Sequence, residues 1–184
     1  MTRLILFILL IAPTFAQAQG FFFQGSGISA KNKVAVGAYG FVPSDISNLG
    51  FMGNATIGLH EFYQGEFRLG VHSGPVQSSY VALLGKAVLS VNGKLFNTAA
   101  LFGFEHDGTS GLVLSPVASH YFDWGELYCG LYNRFTLDTG SLGMALQPGV
   151  NFTMNTSQMR WYLEFKLALF NAPTQIASGV RWFF

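Results

Sequence analysis

Leu142-Gly143-Met144-Ala145-Leu146-Gln147-Pro148-Gly149-Val150-Asn151-Phe152-Thr153-Met154 is the stretch that decides the architecture. Successive side chains of an extended chain point to opposite faces. Leu142, Met144, Leu146, Pro148, Val150 and Phe152 therefore share one face, and Gly143, Ala145, Gln147, Gly149, Asn151 and Thr153 the other. A strand crossing a bilayer needs about 9–11 residues, and this stretch is long enough. A water-soluble sandwich also alternates, but its outward face would carry Lys, Glu and Thr rather than one unbroken apolar set.

The same alternation recurs on both sides. Trp161, Leu163, Phe165, Leu167 and Leu169 oppose Tyr162, Glu164, Lys166 and Ala168, and Leu127, Cys129, Leu131 and Phe135 oppose Glu126, Tyr128, Tyr132 and Arg134. Charged residues share a face with glycines and tyrosines, which suits a crowded polar interior. The pattern predicts an all-β chain with strands at 33–42, 51–62, 66–73, 78–91, 95–106, 111–122, 125–137, 141–154, 159–170 and 175–184. About ten strands result, an even number that puts both termini on one side, with eight and twelve as the neighbouring even counts.

Composition agrees. Half of the 184 residues are hydrophobic, 16% are aromatic and only 10% are charged, whereas soluble domains carry about 25% charged residues. So much apolar content is incompatible with a disordered chain. The single cysteine, Cys129, excludes an intrachain disulfide and every multi-cysteine metal pattern. Beyond the N-terminus no run approaches about 18 apolar residues, and only helices and closed barrels satisfy all backbone groups in lipid. Residues 33–184 are therefore expected to form a closed antiparallel up-and-down transmembrane β-barrel. Residues 1–18 have the basic start at Arg3, the apolar run Leu4–Ala12 and the small residues Ala16-Gln17-Ala18 of a cleaved secretory signal. Residues 19–32, with Phe21–Ile28, are expected to be an N-terminal periplasmic segment or an extra strand. Removing the signal leaves nine basic and nine acidic residues, without the basic excess of a nucleic-acid binder.

Turn chemistry predicts the pairing registers. Asn92-Gly93 is a type I′ signal, setting Leu89 opposite Phe96, Ala87 opposite Thr98, Leu83 opposite Phe102 and Val81 opposite Phe104. Tyr63-Gln64-Gly65 as a three-residue loop aligns Leu59 with Leu69 and Ile57 with Val71, bringing His60 to Arg68. Thr139-Gly140 matches Phe135 with Met144, Asn155–Gln158 pairs Phe152 with Trp161, and Asn171–Thr174 pairs Leu169 with Ile176. All these registers keep one facing for the apolar residues, as a meander requires.

The chain ends Ile176-x-Ser178-x-Val180-x-Trp182-x-Phe184. This resembles the last strand of Gram-negative outer-membrane β-barrel proteins, whose alternating apolar positions close on a final Phe. The resemblance implies an outer-membrane location, contact with outer-membrane lipid, and reading of Val180, Trp182 and Phe184 by the barrel-assembly machinery. Ser178 departs from the apolar series. With Phe184 at the periplasmic side, the turns near Tyr63–Gly65, Asn92-Gly93, Asp123-Trp124 and Asn155–Gln158 are periplasmic. The outside loops Pro43–Gly50, Ser73–Ser78, Asp107–Ser110, Thr139-Gly140 and Asn171–Thr174 are short, which disfavours an adhesin.

Candidate functional residues fall in three groups. Glu105-His106-Asp107-Gly108-Thr109-Ser110 is a rim cluster in which His106, Asp107 and Ser110 could serve a lipid-modifying hydrolase, set against an ordinary Asp-Gly turn. Ser119-His120 reads as an interfacial histidine beside Tyr121 and Phe122. The inward polar set is His60, Arg68, His72, Lys86, Glu105, Glu126, Arg134, Arg160, Glu164, Lys166 and Arg181, with Glu66 beside Arg68. His60 and His72 lack a third ligand, and the arginine between them repels a cation. A hydrogen-bonded network is the better account, with no metal and no cofactor expected. The preferred expectation is a structural or narrow-pored, non-enzymatic barrel. The hydrolase and a docking role with an envelope protein partner are the alternatives.

Overall fold

The computed structural model describes residues 29–43, 49–72, 78–90, 96–154 and 158–184, the side chains of His72 and Ser78 excepted. The expected signal at 1–18, Phe21–Ile28 and the Asn92-Gly93 turn lie outside these residues. Ten strands follow in order: β1 (Val34–Pro43), β2 (Gly50–His60), β3 (Tyr63–His72), β4 (Ser78–Ser90), β5 (Asn97–His106), β6 (Ser110–Phe122), β7 (Gly125–Thr136), β8 (Ser141–Thr153), β9 (Met159–Phe170) and β10 (Gln175–Phe183). Each pairs antiparallel with its sequence neighbours, and β10 returns to β1 from Ala35↔Phe183 to Pro43↔Gln175, closing the barrel. Among the described residues no helix is long and apolar enough to cross a membrane.

The barrel is turned inside out relative to a soluble protein. Leu83, Leu114 and Phe51 are about two-thirds exposed on the outside, while Arg68, Arg134, Lys166 and Glu164 are fully buried within. At one end the outside carries a row of rings across five strands. Phe96, His120, Phe122, Trp124, Phe152 and Trp161 follow one another at centroid separations of 4.7–6.3 Å. Aromatic rings of this kind suit a membrane–water boundary.

Several registers differ from those expected, always by an even number of residues. β4 and β5 pair Leu83 with Phe104 and Ala87 with Ala100, two residues away from the Asn-Gly alignment, with a further irregularity between Val88 and Ser90. Phe135 meets Leu142 rather than Met144, and Ile176 meets Phe165 rather than Leu169. The β2–β3 turn is Glu61-Phe62, not Tyr63–Gly65, so Ile57 faces Gly65. Gln64 is then an inward strand residue, and Asn54 rather than His60 lies opposite Arg68. Phe152 does pair with Trp161, and Asp123-Trp124 is a two-residue connection.

Before β1, the chain crosses the inner side of β2. Ser29 is buried, its N–H donates to Gln64 Oε1 (2.8 Å), and its hydroxyl lies 3.3 Å from that of Thr56. Asn32 N–H donates to Gly58 O, and Gly58 N–H to Lys33 O. Gly58 is required here, since a Cβ would lie 2.1 Å from Ala30 O.

Two ladders are interrupted at mid-height. β6 and β7 pair at Val113↔Arg134 and resume at Val117↔Gly130, and β8 and β9 pair at Leu146↔Leu167 and resume at Gly149↔Glu164. Each gap contains a proline, Pro116 or Pro148, which has no N–H to donate. Asn133, on the outward face of β7, repairs the first gap. Its Nδ2 donates to Leu114 O (3.0 Å) and Leu131 O (3.1 Å), and its backbone N–H donates to Ser115 Oγ (3.1 Å). Replacing Asn133 by Leu makes the belt more apolar yet orphans two carbonyls in lipid. The expected result is a loss of about 1–3 kcal/mol, measured as an earlier urea unfolding midpoint in detergent.

Candidate functional site: the charged interior and the outer rim

Ten charged residues are buried among the described residues, five basic (Arg68, Lys86, Arg134, Lys166, Arg181) and five acidic (Glu66, Glu105, Asp107, Glu126, Glu164). A charge removed from water persists only when paired and hydrogen-bonded. Strand alternation sends these side chains inward, and ring closure brings strands distant in sequence within reach.

Three clusters result. Glu66 Oε1 accepts from Arg68 Nε (2.8 Å), Asn54 Nδ2 (2.6 Å) and Arg181 Nη2 (3.4 Å), while Arg181 Nε donates to the Tyr39 hydroxyl (3.0 Å). Glu105 accepts from the hydroxyls of Tyr80 (3.1 Å) and Tyr132, and it pairs with Arg134 Nε at 2.8 Å. The same guanidinium reaches Asp107 Oδ1 (2.8 Å) and Thr109 O (2.7 Å), tying the β5–β6 loop to β7. Towards the other end Tyr128 donates to Glu164 (2.7 Å), and Asn151 Nδ2 to Glu126 (2.6 Å). Lys166 Nζ sits 4.4 Å from the Tyr132 ring centroid and so packs against the second cluster.

Glycine makes room for these large inward groups. A Cβ on Gly111 would lie 2.6 Å from Arg134 Nε, and one on Gly149 would lie 2.3 Å from the Tyr128 ring. Hence the inward face alternates charged or phenolic residues with glycines.

Of the expected interior set, Arg68, Lys86, Glu105, Glu126, Arg134, Glu164, Lys166 and Arg181 are all buried inside. His60 is not. The displaced β2–β3 turn leaves it exposed at the strand end, its ring beside Phe62 (5.8 Å) and Tyr63 (6.1 Å). Arg160 is half-buried near a barrel end, its guanidinium 5.3 Å from the Phe183 ring. The His72 side chain lies outside the described residues. Tyr39 and Asn54 join the network without having been singled out. The inward position of Tyr39 was signalled only by the glycines Gly37 and Gly179 that flank its ring.

At the rim, His106 and Ser110 are cross-strand partners, with Nδ1 and Oγ 3.1 Å apart on the outward side. Asp107 does not join them; it turns inward to Arg134. Ser110 N–H instead donates to Asp138 Oδ2 (2.9 Å). Ser119 is buried inside while His120 belongs to the outer aromatic row, so those two act separately. Trp182 on β10 and Phe184 just beyond it are exposed outward, and Phe184 N–H donates to Val34 O, extending the seam with β1.

No protein-family model matches the chain, and no curated protein does. Solved structures similar to it include a chain from work on de novo design of transmembrane β-barrels, with 10% identity, 85% of this chain and 100% of that one covered, and a TM-score of 0.45. The N-terminal β-barrel domain of Pseudomonas aeruginosa OprF shows 14% identity, coverage of 88% and 100%, and a TM-score of 0.42. The KdgM porin shows 11% identity, coverage of 80% and 98%, and a TM-score of 0.46. The assignment to a closed ten-stranded barrel rests on this chain's own pairing.

Two expectations follow. Arg134→Met leaves Glu105 and Asp107 without their shared cation, and loss of one partner of a buried pair costs about 3–5 kcal/mol, read as a lower unfolding midpoint in detergent. Burial, aided by the Glu105 carboxylate and opposed by Arg134, pushes the Asp107 carboxyl up to about 7. A carboxyl raised on folding contributes stability that is complete below its unfolded value, near 4, and is lost as pH rises through 7. The thermal midpoint of the native chain should therefore fall between pH 4 and 8 relative to that of Asp107→Asn, which has no such titration.

Proposed function

We propose that the chain is a small barrel of the Gram-negative outer membrane, structural or narrow-pored, and not an enzyme. The observation that supports this reading is the interior itself, where ten buried charged side chains, five basic and five acidic, crowd the lumen together with buried tyrosines. Interiors of barrels near eight strands are filled by side chains, whereas aqueous channels are typical at 16–18. Export by the signal at 1–18 belongs to the same reading, as does recognition of Val180, Trp182 and Phe184 by the assembly machinery. Outer-membrane lipid is the medium of the apolar belt. In planar bilayers the native chain is expected to give a steady conductance at least about tenfold below that of barrels with aqueous lumens. A wide, steady channel would overturn the reading.

One observation favours a second reading, a phospholipid or lipid A deacylase. The contact between His106 and Ser110 is of hydrogen-bond length and lies on the outward side of the rim. Nucleophilic catalysis also needs a group to orient the base, and Asp107 points away. Mass spectra of envelope lipids distinguish the two. Deacylated species that vanish with His106→Ala would favour the hydrolase, and an unchanged lipid profile is expected for the structural barrel.

A further inference from the structure

Residues 29–33 run along the inner side of the wall, at the barrel end that carries the β2–β3 turn. Ser29 is buried against two inward side chains, Gln64 and Thr56, and its N–H donates to Gln64 Oε1. Lys31 bridges Gly58 in parallel, Asn32 N–H donates to Gly58 O, and Gly58 N–H donates to Lys33 O. Residues 30–33 are exposed on their other side, so this strap faces water at the mouth.

Two features of the sequence exist to seat it. Glycine inside a strand costs backbone entropy, and it often marks a place where another backbone comes close. At Gly111 and Gly149 the missing Cβ makes room for a large side chain of the barrel itself. At Gly58 the three atoms nearest an added Cβ are Ala30 O (2.1 Å), Ser29 O (2.5 Å) and Ala30 C (2.7 Å), all of them strap backbone. Asn32 is the second feature. Its φ of 61° lies in the left-handed region, which asparagine enters more readily than other residues with a Cβ. That turn carries the chain from the inner side of β2 into β1.

The strap stands in front of the first charged cluster. Thr56 lies opposite Glu66 in the β2–β3 ladder, and Glu66 is the acceptor shared by Arg68, Asn54 and Arg181. Meanwhile β1 pairs with β2 and β10 through its own residues, from Val34 onward. The strap can therefore lift without opening the ring, as a local unit held by few bonds beside a more stable one.

We infer that residues 29–33 are an autoinhibitory strap, which closes this mouth of the interior to water and small solutes when seated and opens it by lifting about Asn32. The inference deepens the reading of a closed or narrow interior and rests on it.

The test uses the mature chain in lipid nanodiscs, with Thr56→Cys as an inward reporter in a Cys129→Ser background and a small water-soluble methanethiosulfonate as the probe. Two further substitutions lift the strap from opposite sides. Gly58→Ala places a Cβ against the strap backbone. Asn32→Pro, outside every strand, removes the N–H given to Gly58 O and fixes φ near about −65°, which forbids the turn. Each is expected to speed labelling at position 56 about tenfold or more, and tryptic cleavage after Lys31 by a similar factor, with the unfolding midpoint of the barrel unchanged. Labelling no faster in either variant than in the parent overturns the proposal. So does faster cleavage without faster labelling, since the strap would then cover nothing. A lowered unfolding midpoint accompanying the faster labelling assigns the effect to the wall and also overturns it. Planar-bilayer conductance of the parent separates this from the reading beneath it: a wide, steady channel sinks that reading, whatever the labelling rates.

Discussion

The constraint on which everything else depends is that no backbone polar group can be left unpaired in lipid. It forces β10 back onto β1, and that single pairing, nine residue pairs long, turns a meander into a ring without edges. Once the ring is closed, each strand must divide its side chains between two incompatible media. The apolar set goes out and the charged set goes in. The charged set can only survive there by mutual neutralisation, which is why five buried basic groups face five buried acidic ones.

Interior packing explains residue choices that would be odd elsewhere. Arginines and tyrosines are too long to point at one another across a narrow lumen unless their neighbours yield space, and glycines at 111, 149 and 179 provide it. The phenolic hydroxyls of Tyr80, Tyr128 and Tyr132 then donate to carboxylates, so that Glu105 and Glu164 are held by neutral donors as well as by charge. Asn133 solves the opposite problem on the outer face, where an exposed polar side chain in the belt is tolerated because it occupies carbonyls that Pro116 leaves idle.

The rim shows how a one-residue change of facing separates neighbours in sequence. His106 and Asp107 are adjacent, yet one contacts Ser110 on the outside and the other binds Arg134 inside. Any grouping of Glu105 to Ser110 by proximity in sequence alone joins residues that the wall of the barrel keeps apart. The same division splits Ser119 from His120.

Alternation along Leu142–Met154 and its counterparts was enough to establish the strands, their facing, the ring and most of its charged contents, because period-two patterning directly reports which medium each side chain meets. Registers were not legible to the same degree. Sliding a pair of strands by two, four or six residues returns every apolar side chain to the same face, so the pattern cannot distinguish Ile57 opposite Gly65 from Ile57 opposite Val71. Turn composition was the only other guide, and at Tyr63-Gln64-Gly65 it lost to Gln64 finding partners inside the barrel. The tertiary structure alone decided which charges meet, since Arg181 and Glu66 come together only through closure, and it alone placed His60 at a turn instead of beside Arg68.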